Sequence, residues 1–189
     1  MTRASFNDFF EKMDHEFRFI EIEHDKSGYR VDRTGIKHHC KYNELKSVDY
    51  LYEQENKLCL VEFSDLARQH LSIIDRVKSL NESNLDRNER RLYIKGLYRE
   101  ISSEMRTKYL HSLNILTKMP ECLDDVPEWA QKRKAKLWIV VAPTPDEISE
   151  EHKTDIVRVL EKLKDDLTRS IPDDLFVSVK VFSVHSFFA

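Results

Sequence analysis

Residues 47–65 read SVDYLYEQENKLCLVEFSD, with two short apolar runs, 48–52 and 58–63, parted by a polar stretch, 53–57. Apolar runs of this length around a polar break predict neighbouring antiparallel strands joined by a hairpin. Each run carries one carboxylate among apolar neighbours, Asp49 in the first and Glu62 in the second. An unpaired charge is costly in a buried strand, so such acids are exposed, paired, or metal ligands. Two carboxylates on neighbouring strands suit a hard divalent cation, because Mg²⁺ takes one or two carboxylates together with waters and phosphate oxygens.

Working outward from the hairpin, the upstream residues predict a short amphipathic helix over 4–15, with Phe6, Phe9, Phe10 and Met13 on its apolar face. Alternation over 17–22 predicts a strand. His24 to Gly28 predict a turn, and 29–31 the partner strand. Residues 36–47 hold little periodicity and predict a loop or a short extra strand. Downstream the period changes. Leu66, Leu71, Ile74, Val77 and Leu80 fit one helix, and 81–84 interrupt it. Asp86 is placed to cap a long helix over 87–118, with Leu92, Leu97, Ile101, Met105, Tyr109, Leu113 and Leu116 inward. Pro120 to Pro127 predict a loop, and the continuous apolar run 136–142 a strand buried on both faces. Residues 143–146 form the expected cap of a helix over 147–169, and 176–184 a last strand. Strands parted by long helices require crossovers, hence an α/β fold with a mixed central sheet flanked by helices.

The chain has 189 residues, which is most simply one domain spanning 1–189. A hydrophobic content of 40% with 34% charged residues describes a globular chain with a charged surface. No run approaches the ~20 apolar residues of a membrane span, and the first residues lack the apolar core of a signal peptide. Cys40, Cys59 and Cys122 are odd in number and widely spaced, which predicts free thiols and a cytoplasmic setting. A net charge of -3 does not suggest a general nucleic-acid binder, so any nucleic-acid contact needs a local basic face. Two segments offer one: 87–108, with Arg87, Arg90, Arg91, Lys95, Arg99, Arg106 and Lys108, and Lys132 to Lys136.

At the hairpin the chain resembles the PD-(D/E)XK nuclease superfamily. That family places an acid near the start of one strand, then an acid, an apolar residue and a lysine on the next; here the matching positions are Asp49 and then Glu62-Phe63-Ser64. The expected element order is similar to the αβββαβ core of the family, so the resemblance implies a restriction-endonuclease-like sheet with a helical insertion at about 66–118. It also implies that Asp49 and Glu62 bind Mg²⁺, with Mn²⁺ as a substitute. The motif lysine, which positions or activates the attacking water, is replaced by Ser64, and Ser64 cannot supply a positive charge. Lys46, Arg68, Lys95 and Lys108 lie on neighbouring elements from which a cation could reach the same place. Glu11 and Glu16 are the nearest candidates for the further acid that such nucleases carry on the first helix.

His38 and His39 adjoin Cys40, but no second ligand pair stands at zinc spacing. His111 and His185 read as packing or surface residues. No G-x-S-x-G, P-loop or G-x-G-x-x-G is present. Two functions are therefore carried forward. One is a Mg²⁺-dependent endonuclease or phosphodiesterase acting on DNA or RNA, which the resemblance associates with defence against phage or mobile elements. The other is a catalytically inert nuclease-like scaffold that binds DNA or a partner protein. A homodimer is compatible with either, and neither needs a membrane.

Overall fold

The computed structural model of the chain describes residues 3–15, 17–18, 20–143 and 150–189. In chain order, β1 (Ala4–Ser5), a 3-10 turn (Phe6–Phe9), β2 (Phe10–Lys12) and β3 (Ser27–Arg30) precede the one-turn helix α1 (Ile36–His39). The hairpin follows as β4 (Tyr50–Gln54) and β5 (Lys57–Ser64). Then come α2 (Leu66–Asn81), α3 (Arg87–Cys122), β6 (Leu123–Asp124), a second 3-10 turn (Glu128–Gln131) and β7 (Ala135–Val141). The chain closes with α4 (Glu150–Ser170), β8 (Phe176–Ser183) and α5 (Val184–Phe188).

Six strands form one mixed sheet in the order β2-β3-β4-β5-β7-β8; β1 and β6 make a separate two-stranded parallel pair. Strands β2 to β5 run antiparallel, whereas β5–β7 and β7–β8 are parallel. Parallel neighbours need long crossovers, and α2 with α3 supplies the first and α4 the second. The hairpin closes through Glu55 and Asn56, both at positive φ (52° and 58°). Two consecutive left-handed residues make the tight turn whose twist matches antiparallel strands.

Strand β5 is buried on both sides. Leu58 and Leu60 enter the larger core, shared with Ile73 of α2, Ile101 of α3 and Leu163 of α4. Cys59 and Val61 point the other way, into a second core with Met13, Tyr50, Trp138 and Phe187. Asp65 caps α2 through the Arg68 N–H (3.2 Å), and Asp86 caps α3 through the N–H groups of Asn88 and Glu89 (2.6 and 3.3 Å).

Several local expectations are corrected. Residues 4–15 do not form a helix: Phe6 buries in the larger core and Met13 in the second, on opposite faces of the sheet, while Phe10 is 54% exposed. The described residues of 17–22 are not a strand. Phe17, Ile20 and Ile22 instead pack as covering side chains on the second core, and β3 takes β2 as its partner. Residues 36–39 form a helical turn in place of a loop or strand. On α2 Leu66, Ala67, His70 and Ile73 are buried, whereas Leu71 and Ile74 are only half-buried, and on α3 Leu92 is 70% exposed. Helix α3 passes through Pro120 to Cys122, although the proline has no N–H to donate to the carbonyl of Leu116 one turn earlier. The expected turn at 144–146, with Ile148, lies outside the described residues.

Candidate functional site

Strand alternation turns Glu62 and Ser64 toward the helix-covered face of the sheet, the face that Leu58 and Leu60 occupy. Glu62 is buried, with 2% exposure, and Ser64 is buried beside it in the strand. Asp49 stands one residue before β4. Its N–H donates to the Val61 carbonyl (3.0 Å), and its own carbonyl accepts from the Val31 N–H (2.8 Å). Its carboxylate Oδ2 accepts the Phe63 N–H at 2.7 Å. The Asp49 side chain thus clamps the end of the hairpin immediately next to Glu62.

One turn of α3 assembles the rest. Lys108 Nζ donates to Glu62 Oε1 at 2.5 Å, with the lysine side chain 22% exposed. Four residues on, the Ser112 hydroxyl accepts the Val48 N–H (3.0 Å), and His111 Nδ1 accepts the Lys46 N–H (3.2 Å). The Tyr109 hydroxyl lies within hydrogen-bond distance of the Ala135 and Leu175 carbonyls (2.9 and 2.7 Å). Residues 108–112 therefore fix the segment leading into Asp49, the strand that carries Glu62 and the start of β7. Glu104, one turn earlier, approaches Lys108 (4.0 Å) and Lys46 (3.8 Å).

Burial first, and then the neighbouring Asp49 charge, push the Glu62 carboxyl well above its ordinary range, and the Lys108 ammonium acts against both. Burial also raises Asp49, opposed by the Phe63 amide and by Lys108. For Lys108, burial works to lower the pKa, and the Glu62 carboxylate outweighs it, so the ammonium is held charged. The result is a pair of partly desolvated carboxylates around one cation. Glu62 Oε2 is buried without a hydrogen-bond partner. A buried oxygen of this kind is costly unless something fills its coordination.

The other candidates fall elsewhere. Glu11 lies on β2, paired with the Arg30 guanidinium and accepting from the Tyr50 hydroxyl (3.2 Å). Tyr50 belongs to the second core, so Glu11 is engaged on the far side of the sheet from Glu62. Glu16 lies outside the described residues. Arg68 pairs with Asp65 (3.4 Å), Lys46 reaches Glu104, and Lys95 is exposed. Of the four cations, Lys108 is the one in contact with Glu62. The sequence carries a signal for it: Ile101, Met105, Lys108 and Ser112 form a stripe at helical spacing, so two polar residues interrupt an inward face. Among the described residues, no group of three or more His, Cys, Asp or Glu side chains gathers as a metal cluster, and no helix is long and apolar enough to cross a membrane. Comparison with protein-family models, curated proteins and solved structures finds no match.

Proposed function

We propose that the chain is a metal-dependent phosphodiesterase of the PD-(D/E)XK kind acting on nucleic acid, in which Lys108 on α3 replaces the missing motif lysine. The observation that carries the reading is the Lys108–Glu62 contact: a cation held at 2.5 Å from the second acid of the motif, on a strand whose own lysine position is Ser64. The sheet supports it. Three antiparallel strands (β3, β4, β5), a helical crossover and a parallel strand (β7) follow the βββαβ succession of the resembled superfamily. The helix that opens that core is not found among the described residues before β3.

Asp49 and Glu62 are the residues that would hold Mg²⁺, or Mn²⁺ in its place. They fit a hard cation: both present carboxylate oxygens, and Glu62 Oε2 is buried and unpartnered. A cation there would supply Lewis-acid polarisation of a phosphodiester. The chain's own residues do the rest. Asp49 is oriented by the Phe63 amide. Lys108 favours the ionised form of both carboxylates, and its ammonium supplies the positive charge that positions a phosphate oxygen or the attacking water.

A second reading, an inert scaffold, is favoured by the same contact seen differently: Lys108 already neutralises Glu62 with no further cation. The two are separated by incubating wild type, Lys108→Met and Asp49→Ala with labelled DNA and RNA in Mn²⁺, alongside calorimetric metal titration. Cleavage by wild type and its loss in both variants supports the enzyme. No cleavage and no metal binding by wild type leaves the scaffold.

A further inference from the structure

Three open clefts adjoin one another around α3, each sharing residues with the next. The first lies between Asp65 and Arg68 of α2 and Glu104 of α3, and adjoins the candidate site through Glu104, which approaches Lys108 at 4.0 Å. The second, of about 480 Å³, shares Glu104 with the first and adds Lys46, Arg99 and Ser103. The third, of about 440 Å³, shares Arg99 and Ser103 with the second and adds Arg106, Arg169 and Asp166. The acids along the way are largely compensated. Glu100 is gripped by both terminal nitrogens of Arg76 (2.8 and 3.2 Å), and Glu104 lies between Lys46 and Lys108. Arg169 reaches Asp165 at 3.9 Å, leaving Asp166 as the acid within the third cleft. Arg99 and Arg106 are exposed, and neither forms an ion pair among the described residues. Two unpaired guanidiniums with a third beside them make a phosphate-binding surface.

Its position is informative. Arg99 precedes Lys108 by nine residues on one helix, about two and a half turns and about 14 Å along the axis, so it faces away from Glu62. A phosphate backbone that touches both must bend around α3, a cylinder of about 10–12 Å diameter. Duplex DNA, with a persistence length of about 50 nm, cannot follow so tight a path, whereas a single strand can. Tyr98, 41% exposed, lines an adjoining crevice that shares Ser102 and Asp166 with the third cleft, and its ring is one on which any base can stack.

The geometry points to a single-stranded nucleic acid as the substrate, its phosphates tracking from the Lys108 site across α3 into the Arg99–Arg106–Arg169 cleft. This rests on the phosphodiesterase reading of the site. The shared chemistry is the phosphodiester backbone, so DNA and RNA are separated by the test.

The test is fluorescence anisotropy of the full chain in EDTA, with fluorescein-labelled oligothymidylate and oligouridylate of about 15 nucleotides and a duplex of the same length. Single strands should bind at least about 10-fold more tightly than duplex. The double variant Arg99→Glu/Arg106→Glu should lose about 10-fold or more, and its salt slope should fall by about 1.4, near 0.7 per phosphate contact. Arg91→Glu, exposed on α3 outside the three clefts, should change neither. Preference for the thymidylate or for the uridylate identifies the polymer. Duplex binding as tight as single-strand binding, or an unchanged affinity in the double variant, overturns the track. If wild type cleaves in Mn²⁺ while the double variant binds normally, the track fails and the enzyme stands. If single-strand binding depends on Arg99 and Arg106 but nothing is cleaved, the enzyme fails and the track stands.

Discussion

Replacing Lys108 by Met should make the stability of this fold depend steeply on pH. Methionine keeps much of the lysine stem and removes the charge, so the packing change is small. What remains is Glu62, 2% exposed, with its ammonium partner gone. In wild type the folded pKa of Glu62 already lies above its ordinary 4.5, so the folded state binds more protons than the unfolded chain. Stability through this group is therefore greatest at acidic pH and falls as pH rises above about 4.5. Lys108 limits that fall. Without it, Glu62 either stays charged and unpaired, at about 3–5 kcal/mol, or holds a proton that solution would remove. Holding the proton costs about 1.36 kcal/mol per pH unit above 4.5, about 5 kcal/mol at pH 8 and under about 1 kcal/mol at pH 5. The cheaper route sets the cost. Wild type already carries part of this cost, because its own Glu62 pKa is raised, so the expected loss is at most about 3–5 kcal/mol at pH 8 and about 1–2 kcal/mol at pH 5, the latter mainly the lost hydrogen bond. Urea unfolding at the two pH values measures it, provided the slope is unchanged. The double variant Glu62→Leu/Lys108→Met removes both charges and should regain wild-type stability or exceed it at pH 8. An equal loss at both pH values, or a double variant no better than the single at pH 8, would refute the buried ion pair as described.

Asp49→Ala should reduce Mn²⁺-dependent cleavage by more than about 100-fold, since even outer-shell metal partners are worth 10–100-fold; single-turnover cleavage reads it. Ser64→Lys should not raise cleavage, because Lys108 already supplies the cation. It should also cost about 1–3 kcal/mol by overfilling a position 4% exposed, measured by urea midpoint. Gly96→Ala should stabilise by about 1 kcal/mol, raising Tm by about 2–4 °C, because a Cβ there meets nothing within 4 Å and the helix gains propensity. Thiol titration in denaturant without reductant should find all three cysteines, which are free in the fold; finding one would contradict this.

The hairpin, the two helices that follow it as far as residue 118, the buried strand near 136–142 and the order of these elements were legible in the chain itself, whereas the last turn of α3 through Pro120 was not. Each rests on a local cause: a period of apolar residues, a capping aspartate, a pair of turn residues. Asp49 and Glu62 were legible as charges inside apolar runs. The N-terminal third was not, because its apolar residues serve two cores on opposite faces of the sheet. A spacing of three and four between Phe6, Phe10 and Met13 imitates a helix face when the side chains in truth point to different sides. The partner of the second acid was also undecided locally. Four cations stood close enough in sequence, and the choice of Lys108 depends on how α3 lies against β5. That placement is fixed by contacts distant in sequence, the Val48 amide on Ser112 and the Tyr109 hydroxyl at Ala135 and Leu175. Local sequence determines where charge must be buried; the packing of one helix on one strand determines which opposite charge meets it.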